Sequence, residues 1–328
     1  MKEVEERKRK RRKKKRGKIV LSIIGLLLLI GFGIVSYSIG NQVADGLVYL
    51  NKGNDTDSNS HKQLALWEYD TEGFKKQYAG EKSTLTADDG YKIPMVTYDA
   101  DNEKDNHTVI LVHGLGGNYV SVFPQAEMYL NEGWNVIAYD QRGGGESSSD
   151  QITFGYDEKR DLKAIVEHVK GHIDNKKIVI HGFSMGAVTT GIYAATEHAA
   201  DVVDAVILDS AFDSMESVFR AVWKTMDIPL PTDYVVWCGD LVLRMKYGFG
   251  FEDASVVSAM KKCQVPAMII QGEQDDVSTV AMGEAIFHSI PDERKVYWLN
   301  DSKHVEAFMD YPVQYKEKVL AFIHHKDQ

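Results

Sequence analysis

One stretch constrains this chain more than any other. Residues 177–187 read Lys-Ile-Val-Ile-His-Gly-Phe-Ser-Met-Gly-Ala: an apolar run, then Gly182-x-Ser184-x-Gly186, then small residues. The apolar run reads as a buried strand, and Ala187, Gly191, Ala194 and Ala195 suit a closely packed helix behind it. A serine between them sits on a sharp strand-to-helix turn, with glycines beside it because a Cβ there would clash. Such a turn lifts the hydroxyl out of the sheet. It also leaves the Met185 amide at a helix N-terminus, where it can meet a developing oxyanion.

The strand at 177–180 has company. Runs at 108–112, 134–139, 205–208, 266–270 and 295–299 are likewise too uniformly apolar to face water on one side, and helical patterns alternate with them. Leu162, Ile165, Val166 and Val169 fall at i, i+3, i+4 and i+7, one face of a helix. Before them, 83–86 and 91–98 read as a hairpin turning at Asp88-Asp89-Gly90. The pattern predicts an α/β domain: a mostly parallel central sheet with helices on both faces and function at the C-terminal strand ends. Between the runs at 205–208 and 266–270 lie more than fifty residues, about twice what a crossover needs. The excess, about 213–250, is either extra core helices or a small helical lid whose apolar side chains, Trp223 and Trp237 among them, line a substrate pocket.

The first 18 residues carry twelve Lys/Arg against three Asp/Glu, a net +9, whereas the whole chain carries −10, so the remainder is −19. A basic run invites a nucleic-acid reading, which the acidic remainder argues against. The run abuts residues 19–39, twenty-one residues without a charge, the length a helix needs to cross a bilayer. The expected organisation is a polybasic cytoplasmic segment at 1–18, a transmembrane signal-anchor at 19–39, a solvated stalk at 40–66 and a catalytic domain at 67–328 outside the cell membrane. Residues 1–39 are then the contact with membrane lipid. A cleaved signal peptide competes, since Ser36-x-Ser38 offers small residues to a peptidase. Cys238 and Cys263, the only cysteines, show no metal-type spacing, and their pairing is open.

A serine hydroxyl needs a base, and the base a third group that fixes its tautomer. His304 follows the last strand, and Gln271-Gly-Glu-Gln-Asp275-Asp276 follows the one before it. Serine, acid and histidine in that chain order, all at strand ends, resemble the α/β-hydrolase superfamily, as does the chain from residue 67 onward. Leu111-Val-His113-Gly114-Leu115-Gly116-Gly117 resembles its oxyanion loop, which implies that the Leu115 amide joins that of Met185 in an oxyanion hole. Tyr139-Asp140-Gln-Arg142-Gly143-Gly-Gly145-Glu-Ser147 resembles its Asp-x-Arg-Gly-x-Gly-x-Ser structural loop. The Ser-Met-Gly-Ala elbow and the basic anchor look most like membrane-anchored cell-surface hydrolases of Gram-positive bacteria, some of them close to the Bem46-like group.

The resemblance implies a serine hydrolase acting on a small-molecule ester or amide, and the lid reading adds an apolar acyl group. Ser184 is the nucleophile, His304 the base and Asp275 the orienting acid. Gly-x-x-Asp spacing favours Asp275 over its neighbour Asp276, and Asp209 is a further candidate because some members supply the acid from that strand. A peptidase or acyltransferase on the same triad, or a non-catalytic receptor, are the rival readings. No motif proposes a metal or a cofactor.

Overall fold

The computed structural model describes residues 1–100, 106–172, 177–291 and 293–324. The chain divides into two compact units, residues 46–228 with 249–328, and residues 1–45 with 229–248.

The larger unit is built on one eight-stranded sheet. Its strands are β1 (Glu81–Thr86), β2 (Lys92–Tyr98), β3 (His107–Val112), β4 (Asn135–Tyr139), β5 (Lys177–Phe183), β6 (Ala205–Asp209), β7 (Ala267–Gly272) and β8 (Lys295–Asn300), in the order β1-β2-β4-β3-β5-β6-β7-β8. β1 and β2 form the expected hairpin and join antiparallel; every pairing from β4 through β8 is parallel. β5, β6 and β7 are buried throughout because helices cover both faces. β8 departs from the expected uniform burial: it is the edge strand, and Val296 and Leu299 face outward. The helix Glu158–His172 buries Leu162, Ile165, Val166 and Val169 completely, as their spacing requires.

The segment expected to be a solvated stalk is instead part of this unit from residue 46 onward. Helix α1 (Lys2–Val48) runs past residue 39, and helix α2 (Thr56–Leu66) packs on the loop after β3 with Ser60 and Leu64 buried. Four of its polar residues bond to the rest of the unit. The amide of Asn118 donates to Ser60 Oγ at 3.1 Å, and Asn118 Nδ2 donates to Asp57 at 3.0 Å. Thr56 Oγ1 accepts from the Gly145 amide at 2.9 Å, and the Asn51 side chain donates to the Gly143 carbonyl. Composition alone cannot separate these partners from water.

The smaller unit pairs α1 with the helix Thr232–Tyr247, the second half of the predicted lid. The Tyr234 hydroxyl lies 2.8 Å from Ser36 Oγ, and its ring 5.9 Å from that of Phe32. A Cβ on Gly40 would lie 2.2 Å from the Cys238 carbonyl, so only glycine allows this approach. Asp45 accepts hydrogen bonds from Lys246 and from the Tyr247 hydroxyl. The uncharged part of α1 is long and apolar enough to cross a membrane and leaves its leucines exposed. Cys238 and Cys263 are both buried and form no disulfide.

Candidate active site

Ser184 ends β5 and opens the helix Met185–Ala194 with φ 52° and ψ −118°, a conformation an L-residue holds only when its surroundings fix it. Its amide donates to the Asp209 carbonyl at 2.9 Å, tying the turn to β6. A Cβ on Gly182 would meet the Gly186 carbonyl at 2.3 Å, and one on Gly186 the Val112 carbonyl at 2.0 Å. The glycines are therefore demanded by packing across β3 and β5, as the sequence pattern predicts.

Ser184 Oγ lies 2.8 Å from His304 Nε2, and His304 Nδ1 lies 2.8 Å from Asp275 Oδ2. The carboxylate fixes the proton on Nδ1, so Nε2 is free to accept from the serine. Asp275 is buried and also accepts from the amides of Val277 and Ser278 and from the Ser278 hydroxyl. Burial alone would raise its pKa, but the His304 hydrogen bond and charge, with the Ser278 donors, hold it below the usual carboxylate value. Asp276 points into solvent. Asp209 is buried one strand away, accepting from the hydroxyls of Tyr315 at 2.7 Å and Ser210 at 3.0 Å, and burial pushes its pKa up to about 6. Ser210 Oγ in turn accepts from the Val305 amide at 3.1 Å, so Asp209 supports the histidine loop without touching the imidazole.

Leu115, in the loop after β3, lines the same cleft as Ser184, and Met185 opens the helix that follows the serine. Among the described residues no main-chain carbonyl accepts from the Met185 amide. The loop is fixed by Gln141, which sequence reasoning did not single out although it lies inside the Asp140–Arg142 motif. Its amide hydrogen goes to His113 Nε2 at 2.9 Å, its side-chain nitrogen donates to the His113 carbonyl at 2.6 Å, and its oxygen accepts from Thr189 Oγ1 at 2.8 Å. Oxyanion loop and elbow helix are thereby braced together. Burial lowers the pKa of His113, leaving a neutral structural ring. Asp140 accepts from the amides of Tyr119 and Glu146, and Arg142 grips Asp161 with two 2.8 Å bonds, which makes the Asp140–Ser147 segment the structural loop its motif implies.

An open cleft with about 480 Å³ of empty space leads to Ser184 and His304. Its walls include Trp67, Leu115, Phe183 and Val305, with Gln63 and Gln125 as polar members. Gln63 comes from α2, within the segment read as stalk, and Trp67 is that helix's C-cap. The lid expectation is not met in this respect: neither Trp223 nor Trp237 lines the cleft. Trp223 stacks on Phe219, which packs on Phe251, and Trp237 stacks on Tyr234 in the smaller unit. Gln125 is buried, and its side-chain oxygen has no hydrogen-bond partner among the described residues.

A sheet of this order with a serine elbow at the end of β5, an acid after β7 and a histidine after β8 defines an α/β hydrolase. A family profile described as "alpha/beta hydrolase fold" matches residues 107–233. By this match and by its fold the chain is a member of the α/β-hydrolase superfamily. It is similar to the uncharacterized protein YqkD of Bacillus subtilis (strain 168), 25% identical over 74% of this chain and 79% of that one. It is also similar to a thermostable monoacylglycerol lipase of Bacillus sp. (strain H-257), 27% identical over 62% of this chain and 84% of the lipase. Among solved structures, an esterase of Pyrococcus furiosus superposes with a TM-score of 0.60 at 24% identity, over 78% of this chain and 95% of the esterase.

Proposed function

We propose that this chain is a membrane-anchored serine esterase that cleaves carboxylic esters through an acyl-enzyme intermediate. The observation that carries the reading is the unbroken Ser184–His304–Asp275 relay of two 2.8 Å contacts on a strained elbow. Ser184 Oγ attacks the substrate carbonyl carbon as its proton passes to His304 Nε2. The oxyanion is met by the Leu115 and Met185 amides, each donor of this kind contributing ~2.7–4 kcal/mol to the transition state. His304 then gives its proton to the leaving alkoxide, and water repeats the sequence to free the acid. Asp275, ionised across the neutral range, stabilises the imidazolium that forms in each half. The apolar side chains of Trp67, Phe183 and Val305 suit an apolar acyl group. An ester is preferred to an amide because similar proteins are named as a lipase and an esterase.

The polybasic segment keeps the N-terminus in the cytoplasm and puts the hydrolase outside the membrane. The contacts of Tyr234 with Phe32 and Ser36 favour an anchor that is retained, since cutting after Ser38 would remove both partners. The decisive experiment is labelling with a fluorophosphonate beside hydrolysis of p-nitrophenyl butyrate, in the wild type and in Ser184→Ala. Labelling and turnover should both vanish in the variant while its melting temperature holds. Turnover above about a hundredth of wild type would point to a different nucleophile.

A further inference from the structure

The half of the insertion that was expected to cover the active site carries a surface of another kind. The helix Thr232–Tyr247 runs beside the outer end of α1 in the same direction: Tyr234 meets Phe32 and Ser36, Cys238 backs onto Gly40, and Lys246 and Tyr247 bond Asp45. Flanking the residues that meet α1, Trp237, Leu241 and Met245 fall at i, i+4 and i+8 and are exposed by 52%, 42% and 68%. A stripe of this size left in water is unusual for a soluble surface. Tyr37 on α1 is likewise 52% exposed. Because Gly40 and Cys238 are in register, Trp237 stands within about one turn, ~5 Å, of Tyr37 along the axis. Two amphipathic rings at one height, at the end of an uncharged span, are what the boundary between acyl chains and headgroups selects.

We propose that the helix Thr232–Tyr247 is a second membrane contact, seated in the headgroup layer of the outer leaflet with Trp237 at the acyl boundary and Leu241 and Met245 above it. The proposal rests on the reading of α1 as a retained anchor. Charges set the depth: Asp240, paired with Arg244 at 2.9 Å, lies about 4–5 Å outward of Trp237, as the interface requires, and Asp233, one turn inward of Trp237, limits how deep that ring can sit. The insertion thus belongs to the membrane attachment, which becomes a two-helix element.

The test uses the full chain reconstituted in mixed phosphatidylcholine–phosphatidylglycerol vesicles, with an environment-sensitive fluorophore on cysteines placed by Trp237→Cys, Leu241→Cys or Met245→Cys, and by Leu28→Cys as the reference within the span. The two native cysteines are buried and are checked for absence of labelling. Lipids brominated near the glycerol end should quench the label at 237 most, at 241 less and at 245 least, since the outer two sit about 6 and 12 Å further out. Equal exposure of all three to an aqueous quencher overturns the proposal. Labels shielded from water yet untouched by brominated lipid overturn it too, and mark the stripe as covered by a second copy of the chain. Where a labelled variant does not fold, the emission difference between wild type and Trp237→Phe under the same lipids reads the same depth. Carbonate extraction separates the two levels: release of the full chain from vesicles sinks the anchor reading, whereas retention with water-exposed labels sinks only the second contact.

Discussion

At the scale of single residues, two adjacent carboxylates are told apart by burial. Asp275 is enclosed by four donors and Asp276 is not, so Asp275→Asn should lower kcat by about 10⁴, as loss of the correct histidine tautomer does, and Asp276→Asn should leave it nearly unchanged. The opposite order of losses in steady-state kinetics would show the acid to be misassigned. Asp209 makes a different prediction. Its folded-state pKa is raised from 3.8 to about 6, so between those values the folded chain holds a proton that the unfolded chain has released. Its stabilising contribution is complete below the unfolded pKa and is lost as pH rises through the folded one, by about 3 kcal/mol at most. Urea midpoints should therefore show wild type losing ground to Asp209→Asn between about pH 4 and pH 7; a pH-independent difference would mean that the buried carboxyl ionises normally. Gln125 holds an oxygen in the cleft wall that no described residue bonds, a feature that costs ~1–3 kcal/mol when nothing bonds it. Gln125→Met should raise the urea midpoint of the free enzyme, and a fall would show that the oxygen is satisfied there.

At the scale of elements, α2 decides what the catalytic unit is. A chain beginning at residue 46 keeps the Ser60 and Asp57 bonds to Asn118 and should remain folded and active. One beginning at residue 67 loses them, together with Gln63 and the buried Leu64, and should melt lower and turn over more slowly, because the loop bearing Leu115 is no longer held. Equal melting temperatures for the two chains would return α2 to the role of spacer. The comparison shows where the sequence was legible. Strands and elbow rest on patterns local to a few residues: Gly182 and Gly186 on steric exclusion, β3 to β7 on burial from both sides; the acid and base rest on the chain order that the resemblance supplies. α2 was hidden because Asn, Asp, Ser and Thr look alike whether they bond to water or to a loop sixty residues ahead. Gln141 was hidden for the same reason, since its three bonds join parts of the chain that only the sheet brings together. The insertion was recognised by its length, yet its partner could not be read, because a small residue such as Gly40 in an apolar helix does not announce which helix will lie against it.

At the scale of the whole molecule, the pairing of α1 with the helix Thr232–Tyr247 joins residues 198 apart in sequence, Ser36 and Tyr234. In an anchored chain those two residues are made at different times. At ~5–20 residues per second, about 10–40 s separate their appearance at the ribosome. During that interval α1 is already in the bilayer with Gly40 bare and the Ser36 hydroxyl bonded only within its own helix, to the Phe32 carbonyl at 2.8 Å. The vacant groove is open to any neighbouring helix that fits against glycine. Birth order thus leaves a window in which nascent anchors can find each other, and completion of the chain closes it.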